Sequence, residues 1–176
     1  MENSGKSEIL SWILTLVAAV VIALIVRTFV FNIAVVNGSS MEKTLHDRDV
    51  LISNRAVLFI RNPKREEIVV FHSPTDNKKL NIKRVIGLPG ETVELKDGKF
   101  YINGEILAEN YLEDDAYTLS NSDEYWQLGE NEYFLVGDNR NPGKSFDSRA
   151  TGPVNKSEIT GITGLRLFPF NQFGGI

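Results

Sequence analysis

Cysteine is absent from this chain of 176 residues, and histidine occurs only twice, at His46 and His72. Without cysteine the chain can form neither disulfide bonds nor thiolate zinc sites, and it has no cysteine nucleophile. Two histidines are too few for a histidine-rich metal centre. We therefore expect no metal ion, and we expect no cofactor.

A basic run is also absent from the sequence. The 19 lysines and arginines are outnumbered by 23 aspartates and glutamates, which leaves a net charge of −4, and no basic run occurs along the chain. Proteins that bind phosphate backbones usually carry clustered positive charge. We therefore expect no nucleic acid among the partners. The length suits one compact domain rather than a large multidomain enzyme.

The tripeptide at residues 143–145, Gly-Lys-Ser, superficially matches the end of a nucleotide-binding loop. That loop has four residues between its two glycines and a helix after it. Here five residues separate Gly137 from Gly143, and residues 146–153 have no helical pattern. We therefore expect no nucleotide.

One long segment has no charged residue. Residues 9–26 read ILSWILTLVAAVVIALIV, and a helix needs about 20 apolar residues to cross a membrane. We predict a short N-terminus at residues 1–8 and a single transmembrane anchor at residues 9–31. A cleaved signal peptide is the alternative, but its apolar core is about 7–15 residues long and small residues follow it. The few flanking basic residues indicate the orientation only weakly.

The rest of the chain, residues 32–176, lacks a helical period and has the pattern of a β domain. Short β-branched or aromatic runs are bounded by turn residues, and Asp97-Gly98 and Asn103-Gly104 are tight-turn pairs. The predicted strands lie at residues 68–71, 92–95, 100–102, 105–107, 133–136 and 161–168. We predict a mainly β fold with a twisted antiparallel sheet. Acidic and polar residues between Glu109 and Glu132 indicate a solvated, β-rich insertion at about residues 105–131.

Three short motifs carry the candidate chemistry. Residues 36–41 place Ser39 and Ser40 beside a glycine, although such a sequence is often only a turn. Lys83 lies in an apolar strand, where burial lowers the pKa of a lysine and allows it to act as a base; the alternative is a lysine that reaches water. Residues 137–149 alternate aspartate and arginine, which predicts a loop of paired charges. A triad of Ser40 with His72 is possible in principle, but both histidines lie in polar, solvated contexts.

Taken together, these motifs resemble those of type I signal peptidases of the bacterial, single-anchor form. The resemblance includes the anchor, Gly-x-Ser-Met at residues 38–41, Lys-Arg-x-x-Gly-x-Pro-Gly at residues 83–90, and Gly-Asp-Asn-Arg with Ser-x-Asp-Ser-Arg within residues 137–149. It extends over nearly the whole chain, to residues 165–170.

The resemblance implies a role for several residues. Ser40 would be the nucleophile and Lys83 its general base, with Ser145 orienting the lysine and Asp147 and Arg149 forming a supporting ion pair. Shallow pockets for small side chains would be lined by residues that are equally suited to the core: Val36, Met41, Leu45 and Ile82. The resemblance also implies a membrane-bound serine endopeptidase on the extracytoplasmic side, with membrane lipid and the signal peptides of secreted preproteins as partners.

The sequence departs from the family pattern at three places. Lys43 stands where the family usually has proline, which frees φ at this position. Residues 141–144 are additional in the third motif and make the assignment of Ser145 less direct. Gly38 takes a position that carries a hydroxyl in some members, so the oxyanion would rely on backbone N–H groups, chiefly that of Ser40.

Two other functions remain open at this point. One is a Ser-Lys self-cleaving repressor, which would need a DNA-binding domain where this chain has the predicted anchor. The other is a membrane-anchored β domain that binds exported proteins without catalysis, and the altered sequence at Lys43 is its best support.

Overall fold

The computed structural model describes the backbone of residues 2–113, 116–119 and 124–176, and the side chains of these residues except 2–7, 25–29 and 77. The N-terminal helix α1 extends over Glu2–Phe29. Its large apolar side chains between Ile9 and Leu24 are exposed. Among residues with described side chains, we find no helix both long enough and apolar enough to cross a membrane. The anchor at residues 9–31 therefore stays a prediction.

The remainder of the chain forms twelve strands within the described residues. In chain order they are β1 (Phe31–Val35), β2 (Val50–Asn54), β3 (Ile68–Ser73), β4 (Asp76–Gly87), β5 (Thr92–Lys96), β6 (Lys99–Ile102), β7 (Glu105–Ile106), β8 (Tyr125–Gln127), β9 (Glu132–Val136), β10 (Val154–Asn155), β11 (Ile159–Phe168) and β12 (Gly174–Gly175). Short helices are α2 (Val57–Ile60), α3 (Ser148–Thr151) and two 3-10 turns at Lys156–Glu158 and Phe170–Gln172. Strand β1 begins at Phe31, which is also the last residue of the predicted anchor.

The strands form two sheets in which every pairing is antiparallel. The larger sheet has the order β1-β2-β11-β3-β4-β9-β10, with β12 paired to β11, and the smaller one has the order β7-β6-β5-β8. The predicted mainly β, antiparallel fold is confirmed. Strand β4, which contains Lys83, lies between β3 and β9 in the larger sheet.

The smaller sheet contains the two predicted hairpin turns. Asp97 and Gly98 have φ angles of +50° and +72°, and Asn103 and Gly104 have φ angles of +52° and +85°. Positive φ at both central residues defines the type I′ turn, for which Asp-Gly and Asn-Gly are favoured. Both turns therefore form where the sequence predicts them.

An apolar core joins the two sheets. Its buried members come from β4, β5, β6, β8 and β9 and include Phe100, Trp126 and Phe134. Trp126 in β8 is 7% exposed, and Leu128, the residue just after β8, is 2% exposed. The expectation of a solvated segment between Glu109 and Glu132 is therefore wrong for these two residues, because β8 pairs with β5 and the N–H of Leu128 donates to the carbonyl of Glu91. The acidic residues Asp114, Asp115 and Asp123 of that segment lie outside the described residues.

Candidate active site

Ser40 lies in the loop between β1 and β2, residues 36–49, which we call the Ser40 loop. Gly38 in this loop has a φ of +91°, a left-handed conformation that glycine adopts without strain. The carbonyl of Met41 accepts a hydrogen bond from the N–H of Leu45 at 2.8 Å. The side chains of Met41 and Leu45 are 1% and 0% exposed. The loop is therefore fastened to the core immediately after Ser40.

Lys83 reaches Ser40 from the centre of β4. Its Nζ lies 2.6 Å from Ser40 Oγ and donates a second hydrogen bond to the carbonyl of Ile82 at 3.1 Å. Only 4% of Lys83 is exposed. The structure thus brings together the two residues that the sequence analysis expected to react, and neither histidine is part of this contact.

Burial lowers the pKa of Lys83 to about 8. The negative charges of Asp147 and Asp138 act in the opposite direction, and Arg149 adds to the lowering. Burial dominates because a charged amine loses its hydration there. With this pKa, about a tenth of the molecules carry a neutral amine at pH 7. In that state the Nζ lone pair can accept the proton of the Ser40 hydroxyl.

Asp147 is the centre of a second buried group beside the pair. Its carboxylate accepts hydrogen bonds from Arg149 Nε and Nη2, both at 2.9 Å, from Ser145 Oγ at 2.5 Å and from the N–H of Gly137 at 3.0 Å. Burial by itself would raise the pKa of Asp147, but the hydrogen bonds and charge of Arg149, together with those from Gly137 and Ser145, hold it below its ordinary value. The predicted ion pair of Asp147 and Arg149 is therefore formed.

Ser145 has a less direct position than the resemblance implies. Its hydroxyl donates to Asp147, while the hydrogen bonds of Lys83 Nζ within the described residues go to Ser40 and Ile82. A side chain at Gly137 would clash with both Ser145 Oγ and the Ser40 carbonyl. Ser145 thus lies close to Ser40 across a glycine. Asp147, which accepts the hydrogen bond of Ser145, is one of the charges that raise the pKa of Lys83.

The additional residues 141–144 form a turn of their own. The N–H of Lys144 donates to the carbonyl of Asn141 at 3.1 Å, and Gly143 has a φ of +73°. Because the chain reverses within these four residues, Ser145 still reaches Gly137. Helix α3 then follows at Ser148–Thr151, so residues 146–153 contain one helical turn that the sequence analysis did not predict.

Asp138 and its two partners, Arg84 and Thr44, were given no individual role from the sequence. Asp138, which is 2% exposed, accepts hydrogen bonds from Arg84 Nε at 2.9 Å and Nη2 at 2.6 Å, and from Thr44 Oγ1 at 2.5 Å. This group joins β4 directly to the Ser40 loop. The sequence signal that could have indicated this group is Arg84, which directly follows Lys83. Side chains alternate along a strand, so Arg84 lies on the face of β4 opposite to that of Lys83.

Asn139 was missed as well. Its N–H donates to the carbonyl of Ser40 at 3.0 Å, and its Nδ2 donates to the carbonyl of Ser39 at 2.9 Å and to Glu42 Oε2 at 3.1 Å. An asparagine is suited to this position because its side chain donates two hydrogen bonds. It holds the backbone on both sides of the Ser40 side chain.

An outer layer of the site comes from the predicted insertion. Arg140 is 4% exposed and forms an ion pair with Glu109, and its Nη1 donates to Thr118 Oγ1 at 2.8 Å. Tyr111 lies against the guanidinium of Arg84, with 4.0 Å between the ring centre and Cζ. Glu109, Tyr111 and Thr118 therefore belong to the body of the domain. The expectation of a solvated segment is wrong for them because two buried arginines need these partners.

The four predicted pocket residues lie in one apolar cluster beside Lys83. Val36, Met41 and Leu45 are buried members and Ile82 is a partly buried one. With exposures of 4%, 1% and 0%, the first three pack as core residues. Ile82 alone among the four keeps part of its side chain open to solvent. A role in binding small side chains stays a prediction.

Lys43 has a left-handed backbone conformation with a φ of +88°. Its ammonium forms an ion pair with Glu113. Proline cannot take this conformation, because its ring holds φ near −65°. The Ser40 loop of this chain therefore follows a path that the usual proline of the family would prevent.

Comparisons with known proteins agree with the resemblance. A sequence model of the family described as "Signal peptidase, peptidase S26" matches residues 9–168. Signal peptidase I of Bacillus amyloliquefaciens is 39% identical over 179 residues, which cover 97% of this chain and 94% of that protein. Signal peptidase I S of Bacillus subtilis (strain 168) is 38% identical over 178 residues, with coverage of 96% and 94%. The crystal structure of a signal peptidase I from Enterococcus faecalis V583 is similar with a TM-score of 0.50 at 36% identity, over 58% of this chain and 97% of that one.

Proposed function

Because the chain belongs to the signal peptidase family, peptidase S26, we propose that it removes signal peptides with Ser40 as the nucleophile and Lys83 as the general base. The chain is a serine endopeptidase. The observation that carries the assignment is the contact of 2.6 Å between Lys83 Nζ and Ser40 Oγ at a lysine that is 4% exposed. A non-catalytic binding domain is not favoured, because the similar proteins are peptidases.

The reaction starts from the neutral form of Lys83. The amine takes the proton of Ser40 while Oγ attacks the carbonyl carbon of the last signal-peptide residue. The resulting oxyanion is held by backbone N–H groups, chiefly that of Ser40, because Gly38 offers no side-chain donor. Collapse of this intermediate breaks the peptide bond and leaves an acyl-enzyme on Ser40. The protonated Lys83 gives its proton to the departing amine, which is the new N-terminus of the exported protein.

The second half of the reaction uses the same two residues. Lys83 is neutral again and takes a proton from a water molecule that attacks the acyl carbon. The acyl bond breaks, Ser40 Oγ recovers its proton from Lys83, and the signal peptide leaves with a free carboxylate. The ion pair of Asp147 with Arg149 supports this cycle by fixing Gly137 behind the Ser40 carbonyl, and Ser145 takes part through Asp147.

The substrate lies extended beside β4, where main-chain hydrogen bonds can add affinity. The side chain before the cleaved bond faces the apolar cluster of Val36, Met41, Leu45 and Ile82. Because three of these residues are already packed as core, the pocket is shallow and admits only small side chains.

We place the enzyme at the cell membrane, with the anchor at residues 9–31 in lipid and the β domain on the extracytoplasmic side. Support comes from the uncharged run of residues 9–26 and from the continuous helix α1 with its exposed apolar side chains. An anchored site meets preproteins at the membrane surface, which raises their effective concentration without further contacts.

Cleavage of a reporter preprotein by the full-length chain in detergent micelles tests the two roles. Ser40→Ala and Lys83→Met should each abolish cleavage while the near-UV circular dichroism of the β domain is retained. Lys64→Met, which removes an exposed lysine, serves as the matched control and should cleave normally. Normal turnover by folded Lys83→Met would exclude the proposed base.

Orientation is tested separately, and the absence of cysteine makes the experiment simple. Glu2→Cys introduces a single thiol before the predicted anchor, and Lys64→Cys introduces a single thiol after it. In intact cells a membrane-impermeant maleimide should label Lys64→Cys, and Glu2→Cys should react only after permeabilisation. The reverse pattern would contradict the proposed topology.

A further inference from the structure

A cavity of about 350 Å³ lies beside the Ser40 loop, and we call it the flanking cavity. Its walls are Lys43, the segment at residues 138–142, and side chains that follow β7, among them Glu113 and Tyr117. The volume is within the range of ligand pockets. The reaction steps described above do not use it.

Asn139 places this cavity next to the reacting group. It lines the cavity, and its N–H donates to the carbonyl of Ser40 at 3.0 Å. The Ser40 hydroxyl contacts Lys83 Nζ, which also donates to the carbonyl of Ile82, a residue of the predicted pocket. Ser40 is thus contacted by Asn139 at its carbonyl and by Lys83 at its hydroxyl, and we call these two neighbourhoods the flank of Asn139 and the flank of Ile82. If the signal peptide occupies the flank of Ile82, the chain that continues beyond the cleaved bond leaves along the flank of Asn139.

The walls of the flanking cavity are chemically suited to a peptide. Tyr117 and Leu119 are 59% and 47% exposed although both are large and apolar, and Leu112 and Pro142 extend this apolar wall. Such a surface with a few polar groups is typical of binding sites. Side chains of an extended peptide segment can pack against this apolar wall.

Two of the four charged residues at the cavity are already compensated inside the protein. Asp138 is paired with Arg84 and Arg140 with Glu109, and the two cavity residues are 2% and 4% exposed. Lys43 and Glu113 differ, because their side chains are 56% and 61% exposed. An exposed ion pair of this kind is weak and easily exchanged. Lys43 can therefore leave Glu113 for a carboxylate of the substrate.

We propose that the flanking cavity binds the first residues of the exported protein, immediately after the cleavage site, and that Lys43 favours an acidic side chain there. The inference rests on the proposed function, since it assumes that Ser40 is the nucleophile. It adds a second specificity element on the far side of the cleaved bond. Glu113 acts as the internal competitor of the substrate carboxylate.

Matched peptides test this proposal with the full-length chain in micelles at low ionic strength. All have the same signal-side sequence and differ at the second residue after the cleavage site, which is Asp, Asn or Lys. For the natural enzyme we expect kcat/KM for Asp to exceed that for Lys by about two- to fivefold, as suits one exposed ion pair. Because the interaction is screened by salt, the preference should shrink at high ionic strength.

Charge variants locate the effect. Lys43→Gln should remove the preference, Lys43→Glu should reverse it, and Glu113→Gln should increase it because Lys43 loses its competitor. Lys64→Gln removes an exposed lysine elsewhere and should change nothing. If Lys43→Glu does not fold, Glu113→Lys provides the same test from the other wall and should strengthen the preference for Asp.

The results separate this proposal from the proposed function. One outcome would overturn only the proposal for the flanking cavity. In that outcome Ser40→Ala abolishes the cleavage seen with the natural chain, but the Asp-to-Lys ratio of kcat/KM is unchanged in the Lys43 and Glu113 variants. Cleavage by Ser40→Ala would overturn the assignment of the nucleophile. A further expected result is that Tyr117→Ala raises KM for peptides extended beyond the cleavage site and not for those that end one residue after it. Equal changes for both peptides would contradict a role of the apolar wall.

Discussion

Replacement of Lys83 by methionine tests the buried amine through stability rather than activity. Lys83 is 4% exposed and its pKa is about 8, because burial disfavours the charged form. In an unfolded chain the pKa of lysine is about 10.4. Below pH 8 the amine is protonated in both states, so the folded state carries the whole cost of a poorly hydrated charge.

The sign and size of the effect follow from proton linkage. Between pH 8 and pH 10.4 the unfolded chain binds more protons than the folded one, so the free energy of unfolding of the natural protein rises with pH in this window. The two pKa values differ by about 2.4, which corresponds to about 3 kcal/mol. Methionine has no amine and removes this dependence. The stability of Lys83→Met relative to the natural protein should therefore fall by about 3 kcal/mol between pH 7 and pH 10.5.

Urea unfolding of the full-length chain in non-ionic micelles, followed by the fluorescence of buried Trp126, measures this difference. The two proteins share every ionisable group except Lys83, so the comparison isolates the contribution of this amine. Any change in packing or hydrogen bonding caused by the new side chain adds an offset that does not depend on pH. Lys64→Met, at an exposed site, should show a constant difference from the natural protein. A constant difference for Lys83→Met as well would refute a folded-state pKa near 8.

Three further substitutions test the surroundings of the pair. Asp147→Asn leaves the buried guanidinium of Arg149 without its carboxylate, and urea unfolding should show a loss of about 3–5 kcal/mol; a loss below about 1 kcal/mol would contradict a buried ion pair. Lys43→Pro should lower the free energy of unfolding by more than about 1 kcal/mol, since proline cannot adopt a φ of +88°. Lys43→Gly is the control and should not lower it in this way. Equal stability of the two variants would show that the loop takes another path. Asn139→Ala removes hydrogen bonds to Ser39 and Glu42. It should lower kcat about tenfold, equivalent to about 1.4 kcal/mol, with KM little changed. A change in KM alone would mean that Asn139 binds substrate and does not position Ser40.

Much of the fold can be predicted from local patterns. The two glycine turns require positive φ angles, so Asp97-Gly98 and Asn103-Gly104 identify their hairpins without reference to the rest of the chain. The burial of Trp126 could not be predicted in the same way. It depends on the pairing of β8 with β5, a long-range contact that the polar composition around it conceals.

The candidate site, too, could be predicted only in part. Ser40 and Lys83 could be named because the combined motifs resemble a known family, although each motif alone was ambiguous. The roles of Asp138 and Asn139 could not be derived, because their partners Arg84 and Ser39 are far away in sequence and meet them only in the folded chain. The conformation of Lys43 also depends on the folded loop. The sequence indicated only that φ was free there.

The dependence of kcat/KM on pH tests the central claim most directly, which is that the neutral amine of Lys83 activates Ser40. With a peptide that does not titrate between pH 6 and pH 10, the neutral fraction of an amine of pKa about 8 rises from about a tenth at pH 7 to about nine-tenths at pH 9. The account predicts a rise of about tenfold in kcat/KM over this interval, with a midpoint near pH 8. A flat profile, or a midpoint near 6.5 as for an ordinary histidine, would contradict it.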